Sequence, residues 1–134
     1  MKIMVCGSIG YGGLSKIKKI QSLLKENGFT VVDQIFKEVV CSDIKDFRNE
    51  KKLSEKVVKH DLDCVKKSEV IVVIADAPSY GTAVEIFVAK GLGKKVILFS
   101  EREIPTPWPI AFSDYIVNSY KELILCLEGI KRKL

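Results

Sequence analysis

Apolar residues change their spacing repeatedly along the chain, and each change marks a new element. Lys2–Cys6 is a short β-rich run that stops at a glycine cluster. Leu14, Ile17, Ile20 or Gln21, and Leu24 then recur at helical spacing, with lysines between them and Asn27-Gly28 as a C-terminal stop. Phe29–Val32 predicts a second strand, whereas residues 34–52 are polar and keep no period; Ser42 or Asp43 is able to open a short helix there. Leu53–Lys67 returns to helical spacing. Glu69–Ala75 is apolar from Val70 onward, which predicts a central strand covered on both faces. Ala83–Leu92 predicts a helix closed by Gly93, followed by a strand over Lys94–Phe99. Pro105, Pro107 and Pro109 then predict an extended loop. Asp114–Val117 reads as a short last strand, and Ser119 with Glu122 three residues on forms a capping-box signature for a helix through Leu123, Leu127 and Ile130.

This alternation of strand and helix runs through residues 1–134 without repeats or linkers, so one domain of α/β class is expected. Right-handed crossovers place helices on both faces of a parallel sheet. Ligands in such folds bind beyond the carboxyl ends of the strands, where the strand order reverses. Three segments fall there: Gly7–Gly13, Asp76–Glu85 and Ser100–Ile110.

Composition narrows the function classes. The net charge is +5, but nineteen of the 22 basic residues are lysines, spread as pairs such as Lys18-Lys19 and Lys66-Lys67. Nucleic-acid readers concentrate basic charge with arginine forks or stacking aromatics, so no nucleic-acid partner is expected; small anionic ligands suit the excess charge better. The longest apolar run is far shorter than the ~20 residues of a membrane span, and MKIMVC is too short for a secretory signal, so a cytoplasmic protein without a membrane partner is expected. Cys6, Cys41, Cys64 and Cys126 lie far apart and His60 is the one histidine, a pattern that fits no zinc site. Cys6, Cys64 and Cys126 each sit inside an apolar pattern, so buried, reduced thiols acting as small hydrophobes are expected.

Three constellations could carry chemistry. In CGSIGYGG the backbone of Gly7, Ser8, Ile9, Gly10 and Gly12 can approach an anion ahead of a helix N-terminus. Gly13 stands where a Walker A loop needs lysine, and Ser15 where a dinucleotide fingerprint needs glycine. The segment is therefore a generic phosphate- or sugar-cradling loop, or simply a tight turn. In ADAPSYGTAVE a strand ends at Asp76 and a helix follows Gly81. Thr82-x-x-Glu85 fits a capping box, so Glu85 either caps that helix or serves a site at the sheet edge. Asp61 shares a helix face with Val57 and Cys64; it lies either at the edge of that apolar stripe or in the same site, and the adjacent His60 belongs to the surface. Two carboxylates flanking a sugar are the equipment for breaking a glycosidic bond, one as nucleophile and the other orienting it or managing protons. Such chemistry calls for no metal and no cofactor.

The run HDLDCVKKSEVIVVIADAPSYGTAVEIFVAKGLGKKVILF, taken with CGSIGYGG, resembles the nucleoside 2-deoxyribosyltransferase family, and within it the 2′-deoxynucleoside 5′-phosphate N-hydrolases. The resemblance implies a Rossmann-like, flavodoxin-like three-layer sandwich with a five-stranded parallel sheet. It implies an N-glycosidase of 2′-deoxynucleosides or their 5′-monophosphates, by hydrolysis or base transfer. Glu85 would be the nucleophile at C1′ and Asp61 would bind the sugar hydroxyls or assist the leaving base. Ser8 and the glycine-loop backbone would hold the nucleotide, Ser79 beside Gly81 would face its 5′-phosphate, and a neighbouring subunit of a homodimer or larger oligomer would complete the site. The hydrolases carry an arginine in the glycine loop where this chain reads Gly10-Tyr11, and a tyrosine on the first strand where it has Met4. Gly81-Thr82-x-x-Glu85 also shares the ending of the nucleotide phosphoribohydrolase motif without its first two glycines. A non-catalytic nucleotide-sensing module, with Glu85 only a cap, is the rival from another class.

Overall fold

The computed structural model describes residues 1–9, 12–35 and 44–134. Along the chain run β1 (Lys2–Cys6), α1 (Gly13–Glu26), β2 (Thr30–Val31), α2 (Lys51–Lys67), β3 (Val70–Ile74), α3 (Tyr80–Gly91), β4 (Lys95–Phe99), α4 (Pro107–Ala111), β5 (Tyr115–Val117) and α5 (Tyr120–Arg132). The strands form one parallel sheet of order β2-β1-β3-β4-β5, so the order reverses between β1 and β3. The flavodoxin-like α/β sandwich expected from the sequence is the observed fold.

Residue alternation along the strands divides the core into two layers. Ile3, Val5, Val70, Val72, Ile97 and Phe99 face α1 and α5, meeting Ile17, Ile20, Leu24, Leu123 and Leu127. Met4, Cys6, Ile71, Val73, Val96 and Leu98 face the other way and meet Cys64 and Val65 of α2 with Ile86 and Ala89 of α3. β3 is buried along its whole length, as its continuous apolar run requires. β2 pairs over only two residues, and the buried Gln34 extends that edge by donating its side-chain amide to the Val5 carbonyl.

Four local readings change. The helix expected from Ala83 begins three residues earlier, at Tyr80. The Pro105–Pro109 stretch is not wholly extended: Pro107 opens α4, where a missing N–H removes no intrahelical bond and the fixed φ already suits a helix. Cys126 is half-buried, unlike the buried Cys6 and Cys64. In the last helix Ser119 Oγ accepts the Glu122 N–H at 3.1 Å, but the reciprocal bond goes from the Asn118 N–H to Glu122 at 2.9 Å, one residue further out than the motif predicts. The short helix considered at Ser42 or Asp43, and Cys41, lie outside the described residues.

The turn from β1 into α1 depends on one close approach. A Cβ on Gly13 would lie 1.6 Å from the Ser8 carbonyl oxygen, inside any permissible contact, whereas one on Gly129 in α5 would meet nothing within 4 Å. Gly13→Ala is therefore expected to lower stability by about 1–3 kcal/mol through forced displacement of the loop. Gly129→Ala should raise it by roughly 0.5–1 kcal/mol through helix propensity. Urea unfolding of the two variants beside the wild type checks both signs.

Candidate active site

α3 presents one buried face, Thr82, Glu85, Ile86 and Ala89, and its starting point decides what that face can do. Ser79 has extended backbone (φ −153°, ψ 130°) and its Oγ accepts the Thr82 N–H at 3.3 Å. Ser79 is thus the N-cap, and Thr82 already lies inside the first turn. The capping-box reading of Thr82 and Glu85 is corrected by this geometry: no bond is left for Glu85 to make at the cap. Helical side chains tilt toward the N-terminus, which carries the Glu85 carboxyl back over the first turn. There, Oε1 is 4.0 Å from where a Gly81 Cβ would stand, and that same point is 3.9 Å from Ser79 Oγ. A Cβ at Gly81 would thus stand in ordinary van der Waals contact with both side chains.

The surroundings of Glu85 oppose its charge. The residue is 8% exposed. Burial raises its pKa most, the Asp61 carboxyl adds to the rise, and a hydrogen bond from the Cys6 side chain opposes it; the outcome is about 8. Asp61, half-buried on α2, is itself raised by burial and lowered by His60. Cys6 ends β1, is wholly buried, and holds its proton well above the usual thiol range because of burial first and the Glu85 charge second. His60 is half-buried, not a free surface group, and its Nε2 lies 3.8 Å from Cys64 Sγ one turn along α2. Asp61, Glu85 and the end of β1 therefore converge where the strand order reverses.

Gly7, Ser8 and Ile9 continue directly from Cys6 and are half-buried beside that convergence, and the Ile9 carbonyl accepts the Leu14 N–H at 3.2 Å as the chain turns into α1. Gly12 sits at φ +82°, a left-handed position that favours glycine. Gly10 lies outside the described residues. Ser79 is half-buried at the head of α3, with a hydroxyl proton still to donate.

The sequence reading missed a second, charged cluster. Lys16 in the first turn of α1 pairs with Asp76 beyond β3 and, at 3.8 Å, with Glu101 beyond β4. The buried Ser100 places its Oγ 3.1 Å from Asp76 and 2.7 Å from the Arg102 carbonyl, and the Arg102 N–H donates to it at 3.3 Å. A lysine in a helix's first turn stands against the macrodipole, and that misfit was the available sign of an acidic partner across the sheet edge.

A carboxyl dyad at the reversal point of a 2-1-3-4-5 sheet, behind a glycine loop, restricts the comparison with known proteins. The sequence profile of the nucleoside 2-deoxyribosyltransferase family matches residues 6–124. The chain belongs to that family. Among the curated proteins searched, none matches. Among solved structures, the 2-deoxyribosyltransferase of Bacillus psychrosaccharolyticus shares 23% identity over 92% of this chain and 90% of its own, with a TM-score of 0.75. The CMP N-glycosidase of Clostridium botulinum shares 21% over 96% and 99%, with a TM-score of 0.57. A conserved protein from Enterococcus faecalis V583 shares 18% over 100% and 99%, with a TM-score of 0.64. At these identities the structures establish the shared fold, while the family match places this chain among the nucleoside 2-deoxyribosyltransferase enzymes. Among the described residues no helix is long and apolar enough to cross a membrane.

The raised pKa of Glu85 makes a stability prediction with a definite sign. The unfolded chain loses this proton near 4.5 and the folded chain near 8. Stability from this group is thus fully present below about 4.5 and falls as the pH rises through about 8. Glu85→Gln, which leaves no charge to bury, should raise the melting temperature at pH 8 and flatten the decline between pH 5 and 9 on an order-of-magnitude view of that window. A cap residue behaves oppositely: losing it lowers stability by about 0.5–2 kcal/mol. Thermal unfolding across that pH range separates the two.

Proposed function

We propose that this chain is an N-glycosidase that cleaves the bond between base and deoxyribose in 2′-deoxynucleosides or their 5′-monophosphates, through a covalent deoxyribosyl ester on Glu85. The observation that carries the reading is the position of Glu85: freed from capping by Ser79, buried, and paired electrostatically with Asp61. The roles proposed for Glu85, Asp61, Ser79, Gly81 and the glycine loop follow from family membership together with this geometry.

In the reaction, a Glu85 carboxylate oxygen forms a bond to C1′ as the C1′–N bond breaks, and the bonding pair leaves with the base. The Asp61 charge adds to burial in raising the Glu85 pKa, so the resting proton of the pair sits on Glu85. In the reaction that proton passes to Asp61; the ionised Glu85 attacks, and Asp61 donates the proton to the departing base. About one molecule in ten carries an ionised Glu85 at pH 7 if its pKa is about 8. The positive charge that develops on the sugar favours this carboxylate form, so the dry pocket stabilises the transition state more than the ground state. Water, or a second base, then attacks C1′, displaces the carboxylate and leaves its proton in the site. Deoxyribose is preferred to ribose because a 2′-hydroxyl withdraws electrons from the oxocarbenium-like centre and crowds the Glu85 side of the ring.

Substrate phosphate would meet Ser79 and backbone N–H groups, each worth roughly 0.5–1.5 kcal/mol. Lys16, the cation nearest Asp76, is already committed to Asp76 and Glu101. A 5′-phosphate should therefore raise kcat/KM by tens-fold at most on that hydrogen-bond estimate. A second subunit fits the exposed aromatic surface of α3 and α4: Phe87 is 65% exposed while stacked edge-on with Phe112, and Trp108 is 71% exposed.

Two measurements test the proposal. Glu85→Ala should abolish release of free base from a panel of deoxynucleosides and deoxynucleotides while the protein remains folded by circular dichroism; turnover like the wild type would reject the nucleophile. Light scattering under assay conditions should show a homodimer or larger species, and a fully active monomer would reject the shared site.

A further inference from the structure

Lys16 stands where an anionic ligand would look for a cation. It belongs to the first turn of α1, directly after the glycine loop, and the tilt of helical side chains carries its ammonium back to the carboxyl edge of the sheet. There Nζ lies 5.9 Å from the ring centroid of Phe99, the last residue of β4. The ammonium pairs with Oδ2 of Asp76, in the turn that leads to Ser79, while Oδ1 of the same carboxylate is 3.1 Å from the Ser100 hydroxyl. An ammonium and a hydroxyl converging on two oxygens of one anion are the contacts a phosphate monoester would take. We propose that Asp76 is a specificity-determining residue: its carboxylate fills, from within the chain, an anion position formed by Lys16 and Ser100, so that a 5′-phosphate finds no charged partner there and the substrate class is the unphosphorylated deoxynucleoside.

Three features support the assignment. First, Asp76 is gripped from α1 and from the end of β4, and only 12% of its side chain is exposed, so it is a fixed occupant and not a mobile charge at the rim. A carboxylate tethered by the chain also competes for Lys16 at a high effective concentration. Second, Ser100 is itself buried and held on both sides of Arg102: its Oγ accepts the Arg102 N–H at 3.3 Å and donates to the Arg102 carbonyl at 2.7 Å. The hydroxyl therefore keeps its place whether or not the side chain at 76 carries a charge. Third, Glu101 Oε1 stands 3.8 Å from the same ammonium, so two carboxylates face one cation and the group is one negative charge in excess. That excess repels a phosphate dianion and leaves a neutral deoxynucleoside unaffected.

The inference rests on the proposed reading of the crevice as a deoxynucleoside site, but its test is independent of turnover. In a Glu85→Ala background, isothermal calorimetry compares the common deoxynucleosides with their 5′-monophosphates. With Lys16, Asp76 and Glu101 in place, the two classes should bind within tens-fold of each other on the hydrogen-bond estimate. Asp76→Asn keeps the shape of the side chain; combined with Glu101→Gln it frees Lys16 of both carboxylates and should raise the monophosphate-to-nucleoside affinity ratio by at least about tenfold. Adding Lys16→Met should return the ratio to its starting value. Glu101→Gln alone changes a side chain that is 55% exposed, so the fold is kept, and should raise the ratio by about two- to fivefold. A ratio unmoved in the folded double variant, or in Glu101→Gln where the double variant does not fold, overturns the proposal. So does a rise that survives Lys16→Met, which would belong to another cation such as Arg102, and so does a failure of every ligand to bind. If the ratio moves as stated while no protein with Glu85 intact releases base, the anion position stands and the glycosidase reading falls.

Discussion

The hydrogen bond from the Thr82 amide to the Ser79 hydroxyl, 3.3 Å long, fixes the phase of α3. Shifting the first helical residue by three positions would not change which residues share a face, because the helical period is close to that step. It does change their depth along the helix. With Ser79 as cap, Glu85 lies in the second turn and is not part of the cap. The tilt of helical side chains then does the rest, bringing the carboxyl above the glycine at position 81. The buried strand β3 supplies the floor against which this arrangement is set.

The site is held in tension between two requirements. Ile86 and Ala89 must be buried for α3 to pack, and the same face buries Glu85 at the expense of its charge. Asp61 increases that expense, whereas a hydrogen bond from β1 reduces it. An ordinary core would replace the acid with an apolar residue. A buried carboxyl kept beside a second carboxyl at the reversal point of the sheet is the kind of strained, costly element that accompanies function.

Much of this was legible in the chain itself. Regular alternation between the two periodicities established the parallel sandwich, and the run from Val70 located its central strand. Asp61 was recognisable because it places a charge on an otherwise apolar helical face, and Glu85 because it follows Gly81 and Thr82 at the carboxyl edge of the central strand. The start of α3 was not, since Ser79 and Thr82 are equally good caps by chemistry and only the path of the chain after Pro78 chooses between them. Pro107 was misleading for a related reason: proline breaks a helix in its interior but suits its first position.

The charged groups around the crevice divide into two unlike walls. Toward α1, the charges of Asp76 and Glu101 are met by Lys16, with Ser100 holding Asp76 in place. Toward α2 and α3, the Asp61 charge adds to the burial that already opposes ionisation of Glu85, and the contacts within the layer are apolar or thiol. A ligand entering between these walls finds little attraction for an extra negative charge on the compensated side and an uncompensated demand for positive charge on the other. In the proposed reaction, a neutral sugar ring that becomes cationic only as its glycosidic bond stretches would answer that demand at the transition state and not before, which is the condition under which electrostatic binding accelerates a reaction instead of merely holding its substrate.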